Sequence, residues 1–414
     1  MEVRVDTLGG LGDGVAAHEG RPVFIAKSCP GDRLEVRVTH ENRNGMQGVI
    51  TSILAPGPDR RDAPCPYYAH CGGCTLQHLS DESYRAFKTR MLYDALERGG
   101  FPRPEASVLF IPAASRRRVE FKIRHDGNAV ALAFHEMRSH NTVPVDACLL
   151  LAPQLEALIA ALNEALSQRE FSPFLYAVSL TLADVGIDML LTFKQYDIAA
   201  LPPLDMLAEQ LGLARISARV HEAKATIVTQ RAPVEMTLGD YPVALPPEAF
   251  LQATRQGQDE LTRIGLDAVQ SAQRVVDLFC GIGSYSFPLS KSSQVHAVEL
   301  EDDMVAALQA GIKRHRIVTL SAQRRDLFKQ PLSGQELSGF QAAIINPPRL
   351  GAKAQTQALA QSSLSTIVMI SCNPATFSRD AAILKAGGFA LESASAIDQF
   401  LWSPHLEIAA VFRR

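Results

Sequence analysis

Three short stretches in the last third of the chain carry residues that could act on a bound small molecule. They are Asp277-Leu-Phe-Cys-Gly-Ile-Gly-Ser284, Asn346-Pro-Pro-Arg349 and Ser371-Cys-Asn-Pro374. Cys372 follows the apolar, β-branched run 367–370, the pattern of a buried strand. Pro374 cannot continue a central strand, because it has no N–H to donate. The thiol therefore belongs just past the carboxyl end of a strand, the edge at which open α/β sheets bind ligands, where its thiolate would be a nucleophile. Gly281 and Gly283 let a ligand approach the backbone closely. Glu299, ending the apolar run 295–298, is placed to accept hydrogen bonds from two ribose hydroxyls. That pair fits a dinucleotide or S-adenosylmethionine. The phosphate-binding fingerprint needs a third glycine where Ser286 stands, which weakens the dinucleotide reading.

The elements that must position these residues follow from the surrounding pattern. From about residue 241 strands alternate with helices: 275–279, the glycine turn and a helix, 295–298, then 342–345 ending at Asn346. This predicts a doubly wound parallel sheet over 241–414. Residues 151–240 read as α+β, with an Ala/Leu-rich helix over 153–168 and strands near 177–182 and 187–193. Residues 1–56 read as short strands at 3–5, 23–25, 34–38 and 48–50, punctuated by glycines, which suits a small barrel of the oligonucleotide-binding type. Its eight basic and eight acidic residues, counted to Arg61, leave it uncharged overall.

Between these lies Cys65-x5-Cys71-Gly-Gly-Cys74. Paired thiols around two glycines fit zinc, a redox dithiol or an iron–sulfur cluster. Either metal needs a fourth ligand, for which Cys148 is the best candidate, since Cys29 belongs to the preceding barrel. Ser80 is an expected N-cap for a helix running to Gly99, with Asp81 and Glu82 favouring its positive end. From Tyr84 to His125 ten Lys/Arg stand against four Asp/Glu, and Arg116-Arg117-Arg118 leads into the alternating strand 119–124. A basic strand of this kind suits a phosphate-facing surface. The chain's formal charge of −3 excludes a wholesale polyanion binder, so nucleic-acid contact must be local. No secretory pattern opens the chain and no run is long and apolar enough to span a bilayer. A cytoplasmic, monomeric protein whose seven cysteines stay reduced is expected.

Taken together, these motifs resemble the bacterial RNA uracil-5-methyltransferases of the 23S rRNA branch, over nearly the whole chain. The resemblance implies a multidomain fold: a TRAM domain at 1–56, a central α+β domain at 57–240 with a [4Fe–4S] site at Cys65, Cys71, Cys74 and Cys148, and a Rossmann-like methyltransferase domain at 241–414. It implies S-adenosylmethionine as cofactor and RNA, of the 23S rRNA type, as partner. By motif it assigns Gln252, Phe279, Gly281, Gly283, Ser284, Glu299, Asp326 and Asn346 to the cofactor pocket, Cys372 as nucleophile and Glu407 as base. Relatives carry Asp where this chain has Asn346, and often Asn where it has Ser284. The loss of charge at Asn346 is what supports a second reading, a catalytically weak RNA-binding protein that keeps the fold. A cytosine-5 methyltransferase would also use a cysteine on C6, but its Pro-Cys motif is not Ser-Cys-Asn-Pro.

Overall fold

The computed structural model describes every residue except Arg103, Glu105, Gly127, Asn128, Gln168 and Glu170. Two residues of the basic-patch count, Arg103 and Glu105, and the end of the helix expected over 153–168 thus lie outside the described residues. Among the described residues the chain forms a closed five-stranded barrel, a seven-stranded sheet, an eight-stranded sheet and a two-stranded hairpin. It divides into two compact units. One holds Met1–Leu92, Phe134–Val143 and Phe400–His405; the other holds Tyr93–Ala133, Pro144–Gln399 and Leu406–Arg414.

In the first unit the barrel runs Glu2–Leu8, Gly14–His18, Arg21–Ile25, Gly45–Ala55, Arg33–Asn42, and the last strand pairs with the first. Alternate residues point inward, so Val3, Val5, Val23, Ile25, Leu34 and Val36 share one core with Ala16 and Met46. The strand Gly14–His18 was not expected, because Gly-Val-Ala-Ala-His carries almost none of the alternation that marks a strand. The helix Asp81–Arg98 begins at the expected place, its first turn acidic and the Ser80 hydroxyl accepting from Ser83 N at 3.2 Å.

In the second unit the eight-stranded sheet runs Leu320–Arg324, Gln294–Glu299, Arg274–Leu278, Ala342–Ile345, Thr366–Ser371, Glu407–Arg413, Ala390–Asp398, Ala106–Phe110. The first five are mutually parallel, and Glu407–Arg413 enters antiparallel to both neighbours. Ala342–Ile345 and Thr366–Ser371 are buried along their whole length, as strands covered on both faces must be. The sequence boundary at 241 does not hold for this sheet: Ala106–Phe110, from the segment assigned to a central domain, is its edge strand, parallel to Ala390–Asp398. That pairing joins residues nearly 300 apart in the chain, which local pattern cannot reveal. The helix Arg255–Val269 lays Leu261, Ile264, Ala268 and Val269 into the core of this sheet. The seven-stranded sheet contains the expected strands Leu175–Leu182 and Ile187–Phe193 beside Arg118–Asp126. The helix expected over 153–168 is broken into Pro153–Glu156 and Leu158–Ser167. No described helix is long and apolar enough to cross a membrane.

Candidate active site

Thr366–Ser371 delivers Cys372 to the carboxyl edge of the parallel strands. The turn that follows is built by Asn373, whose Oδ1 accepts from Ala375 N at 3.1 Å and so caps the helix Pro374–Ala386, with proline at the position where no N–H is needed. Asn373 Nδ2 donates to the Arg349 carbonyl at 3.1 Å, tying the Asn346–Arg349 loop to the thiol-bearing turn. Ser371 pairs with Ile408 in the adjacent antiparallel strand, so one residue further the register sets Glu407 across from Cys372. Glu407 is a buried residue opening its strand, not the surface side chain that an isolated strand glutamate would be. Burial pushes its carboxyl up to about 8, and the hydrogen bond from Gln399 acts the other way. The Cys372 thiol is half-buried and raised, first by burial and then by the charge of Glu407, while Arg349 lowers it. Arg349 is thus the cation that favours a thiolate here.

The glycine turn forms a second cluster on the same edge. Phe279 follows the strand Arg274–Leu278 with φ +60°, a conformation rare for a bulky side chain and typical of functional turns. Its ring packs against Phe328 at 5.4 Å. The Phe328 and Lys329 amides donate to Asp326 Oδ1 at 3.0 and 3.2 Å, which holds Asp326 beside Phe279. Gly281 N donates to Glu299 Oε2 at 2.9 Å, while Glu299 Oε1 accepts from Leu300 N at 2.7 Å and Glu301 N at 3.0 Å. A side chain on Gly281 would meet only open space, but one on Gly283 would collide with Leu308 and Phe287. Gly281 therefore leaves room on the ligand side; Gly283 is required by packing, a different reason from the one the sequence suggested. Asn346 N donates to Leu278 O at 3.2 Å, which brings it to the same edge, and its carboxamide makes no hydrogen bond among the described residues. Ser284 is half-buried.

Sequence reasoning missed three polar groups. Asp277 is fully buried at the end of its strand, with Oδ2 accepting from Ser286 Oγ at 2.5 Å and Oδ1 without a partner. Burial, helped by Glu299, raises it to about 7. The serine in the third-glycine position thus serves this aspartate. Gln399 and Arg117 were also missed. Arg117 is not phosphate-facing: it is buried, with Nε donating to Gln252 O at 3.0 Å and Nη2 to Gln258 Oε1. Arg118 turns inward too, donating to Leu251 O at 2.8 Å. Arg117 and Arg118 thus brace the loop before the helix Arg255–Val269, while Arg116 Nε donates to the Arg118 carbonyl at 2.9 Å. Gln252 is correspondingly buried, its Oε1 accepting from Gln399 Nε2 at 2.5 Å.

Of the expected cluster ligands, Cys65, Cys71 and Cys74 lie in the first unit and Cys148 in the second. Gly73 N donates to Cys71 Sγ at 3.4 Å, and the Lys27 ammonium interacts with the charges of Cys71 and Cys74. Among the described residues no three His, Cys, Asp or Glu side chains gather as a metal site. Cys29 is buried in the barrel unit, its amide donating to Asp32 Oδ2 at 2.6 Å.

A Rossmann-like sheet with an antiparallel penultimate pair, a glycine turn answered by an acidic strand end, and a thiol on the same edge define the class as a methyltransferase. The chain belongs to the tRNA (uracil-5-)-methyltransferase family, whose pattern matches residues 99–414, and is an RNA methyltransferase enzyme. It is 34% identical over 421 residues to an uncharacterized RNA methyltransferase of Rhizobium meliloti, covering 100% of this chain and 99% of that one. It is 31% identical over 427 residues to the 23S rRNA (uracil(1939)-C(5))-methyltransferase RlmD of Pectobacterium atrosepticum, covering 100% and 93%. In fold it is similar to the Pyrococcus abyssi tRNA (uracil-54, C5)-methyltransferase solved with S-adenosyl-L-homocysteine, with TM-score 0.77, 20% identity and full coverage of both chains.

Proposed function

We propose that this enzyme transfers a methyl group from S-adenosylmethionine to C5 of a uridine in 23S rRNA through a covalent adduct at C6. The observation that carries the reading is Cys372 opposite Glu407 across the Ser371–Ile408 register. Uracil C5 is a poor nucleophile. Addition of the Cys372 thiolate to C6 makes the ring an enolate with electron density at C5. When bound, S-adenosylmethionine would supply an electrophilic sulfonium methyl to that C5 electron pair and leave as S-adenosylhomocysteine. Glu407 then takes the C5 proton as general base, the C5–H electron pair re-forms the C5–C6 double bond, and the C6–S pair returns to Cys372 as thiolate.

The cofactor fits the residues present. Gly281 leaves open space, and Glu299, fixed by three amides, keeps one of its about four lone-pair sites, on Oε2, for a ribose hydroxyl. Gln252, Phe279, Gly283, Ser284, Asp326 and Asn346 complete the proposed pocket. The five-stranded barrel at 1–56 serves as a TRAM-type RNA-binding domain. By the family resemblance Cys65, Cys71, Cys74 and Cys148 are the proposed ligands of a [4Fe–4S] cluster; burial raises the Cys71 thiol, while the Gly73 amide and Lys27 favour its thiolate. The weak-binder alternative is not favoured, since the chain matches an enzyme family over residues 99–414.

The test is mass spectrometry of rRNA from a deletion strain, with primer extension to locate a missing methyl group. One 5-methyluridine lost from 23S rRNA and restored by the wild-type gene but not by Cys372→Ala is the expected result. Unchanged rRNA modification refutes the substrate.

A further inference from the structure

A buried polar relay meets Glu407 from the side away from the sheet's parallel strands. Gln399 lies two residues past Ile397, the cross-strand partner of Glu407, and its Nε2 reaches both Glu407 Oε2 at 3.2 Å and Gln252 Oε1 at 2.5 Å. All three side chains are buried. Arg117 anchors the far end through the Gln252 carbonyl at 3.0 Å. Space for the Gln399 amide is kept by Gly257 in the first turn of the helix Arg255–Val269. A Cβ there would stand 2.8 Å from Gln399 Oε1 and equally near the Thr254 hydroxyl that caps the helix. Gln399 Oε1 itself has no partner. A buried amide with one end engaged and the other idle is costly unless its orientation is used.

We infer that Gln399 is a positioning residue for the base: its carboxamide holds Glu407 by donating Nε2 to the carboxylate, and by turning over presents Oε1 to the carboxylic acid. This rests on the proposed role of Glu407. An amide is nearly isosteric under a 180° flip and carries a donor at one end and an acceptor at the other. When Glu407 has taken the C5 proton its O–H becomes a donor. With the Gln252 amide turned as well, the turned Gln399 amide accepts from the acid and from Gln252 Nε2, so both protonation states are satisfied. The other groups that bear electrically on Glu407 are Tyr285 and Cys372; neither supplies a hydrogen bond to it, which leaves Gln399 as its partner among the described residues.

Gln399→Met keeps length and shape and removes both hydrogen-bonding ends; Gly257→Ala displaces the amide from the helix side. The first measurement needs no RNA. Infrared pH-difference spectra of the free protein follow the Glu407 carbonyl band, identified by its loss in Glu407→Gln. Gln399→Met should move that titration upward by about half a unit to one unit, the size of a hydrogen bond to a charged group, and Gly257→Ala should move it the same way. The second measurement is single-turnover reaction with S-adenosylmethionine and an unmethylated 23S rRNA transcript. Gln399→Met should slow adduct resolution about tenfold and shift its pH midpoint with the band. An unmoved carbonyl titration in both variants overturns the inference even if the enzyme methylates RNA as proposed. A moved titration in a protein that forms no adduct with any transcript upholds the relay and rejects the catalytic reading.

Discussion

The charge of Glu407 raises the thiol of Cys372 across the antiparallel pair. Two like charges on this edge disfavour each other, so the groups ionise in turn. In the proposed mechanism the thiolate forms while Glu407 is neutral; once the sulfur is bonded to C6 it carries no charge, and the ionised Glu407 takes the C5 proton.

That order separates the two residues experimentally. Cys372→Ala should abolish both methylation and adduct. Glu407→Gln should still allow attack at C6 and methylation at C5, then stall, so that a protein–RNA band surviving denaturing gels accumulates and depends on S-adenosylmethionine for full yield. Wild-type turnover by Glu407→Gln without a trapped band would remove Glu407 from the mechanism.

Acidity gives a second prediction. The Glu407 carboxyl sits at about 8, against an ordinary 4.5. Between those values the folded protein keeps a proton that the unfolded chain releases. The raised group thus contributes no loss below about pH 4.5, and an increasing loss of stability as pH rises to about 8. Glu407→Gln cannot ionise. Its melting temperature should match wild type near pH 5 and exceed it progressively towards pH 9. Parallel melting curves at all pH values would show that Glu407 is not buried as an acid.

Arg117 offers a stability test in place of an RNA-binding one. Arg117→Met removes donors from the Gln252 carbonyl and Gln258 Oε1, and leaving a buried acceptor unsatisfied costs roughly 1–3 kcal/mol. Urea melts should show a loss of that size, whereas the salt dependence of RNA binding, which counts neutralised phosphates, should keep its slope. A flatter slope at unchanged stability would return Arg117 to the RNA surface.

Asn346 marks the departure from the family pattern. Asn346→Asp restores a charge and a second acceptor oxygen on the edge it shares with Leu278 and should preserve or raise methyl transfer in single-turnover assays. A fall of more than about tenfold, roughly 1.4 kcal/mol of transition-state stabilisation, would mean that this edge, which already holds Glu299 and the buried Asp277, has adapted to the neutral amide.

Iron content tests the cysteine set. Anaerobically purified protein should be brown and hold about four iron atoms per chain. Cys148→Ser should lose them, while Cys29→Ser, altered inside the barrel unit, should not. One zinc per colourless chain would replace the cluster with a structural metal.

Much of this architecture was legible in the residues. The buried run before Cys372, the glycine turn and the acidic strand end each follow from local rules of strand burial and turn chemistry, and each stands where those rules put it. The alternating residues of the barrel did the same for all but Gly14–His18. Groups whose role depends on distant partners were not legible. Arg117 reads as part of a solvated basic run because nothing near it in sequence announces Gln252 and Gln258, more than a hundred residues on. Gln399 reads as an ordinary polar residue ending a strand; only the pairing of Ile397 with Glu407 gives it a neighbour. The one hint was its position, a polar side chain directly after the strand Ala390–Asp398.

The edge strand Ala106–Phe110 bears on how such a gene can be rearranged. Because the last β-pairing of the methyltransferase sheet is supplied from residue 106, a fragment cut at residue 241 would expose the backbone of Ala390–Asp398 as an open, sticky border. It would also lack the arginine that braces Gln252. The catalytic part of this chain is therefore not a portable cassette: recombination that swaps the N-terminal barrel must break upstream of residue 106, and fusions or truncations designed at 241 should yield aggregates.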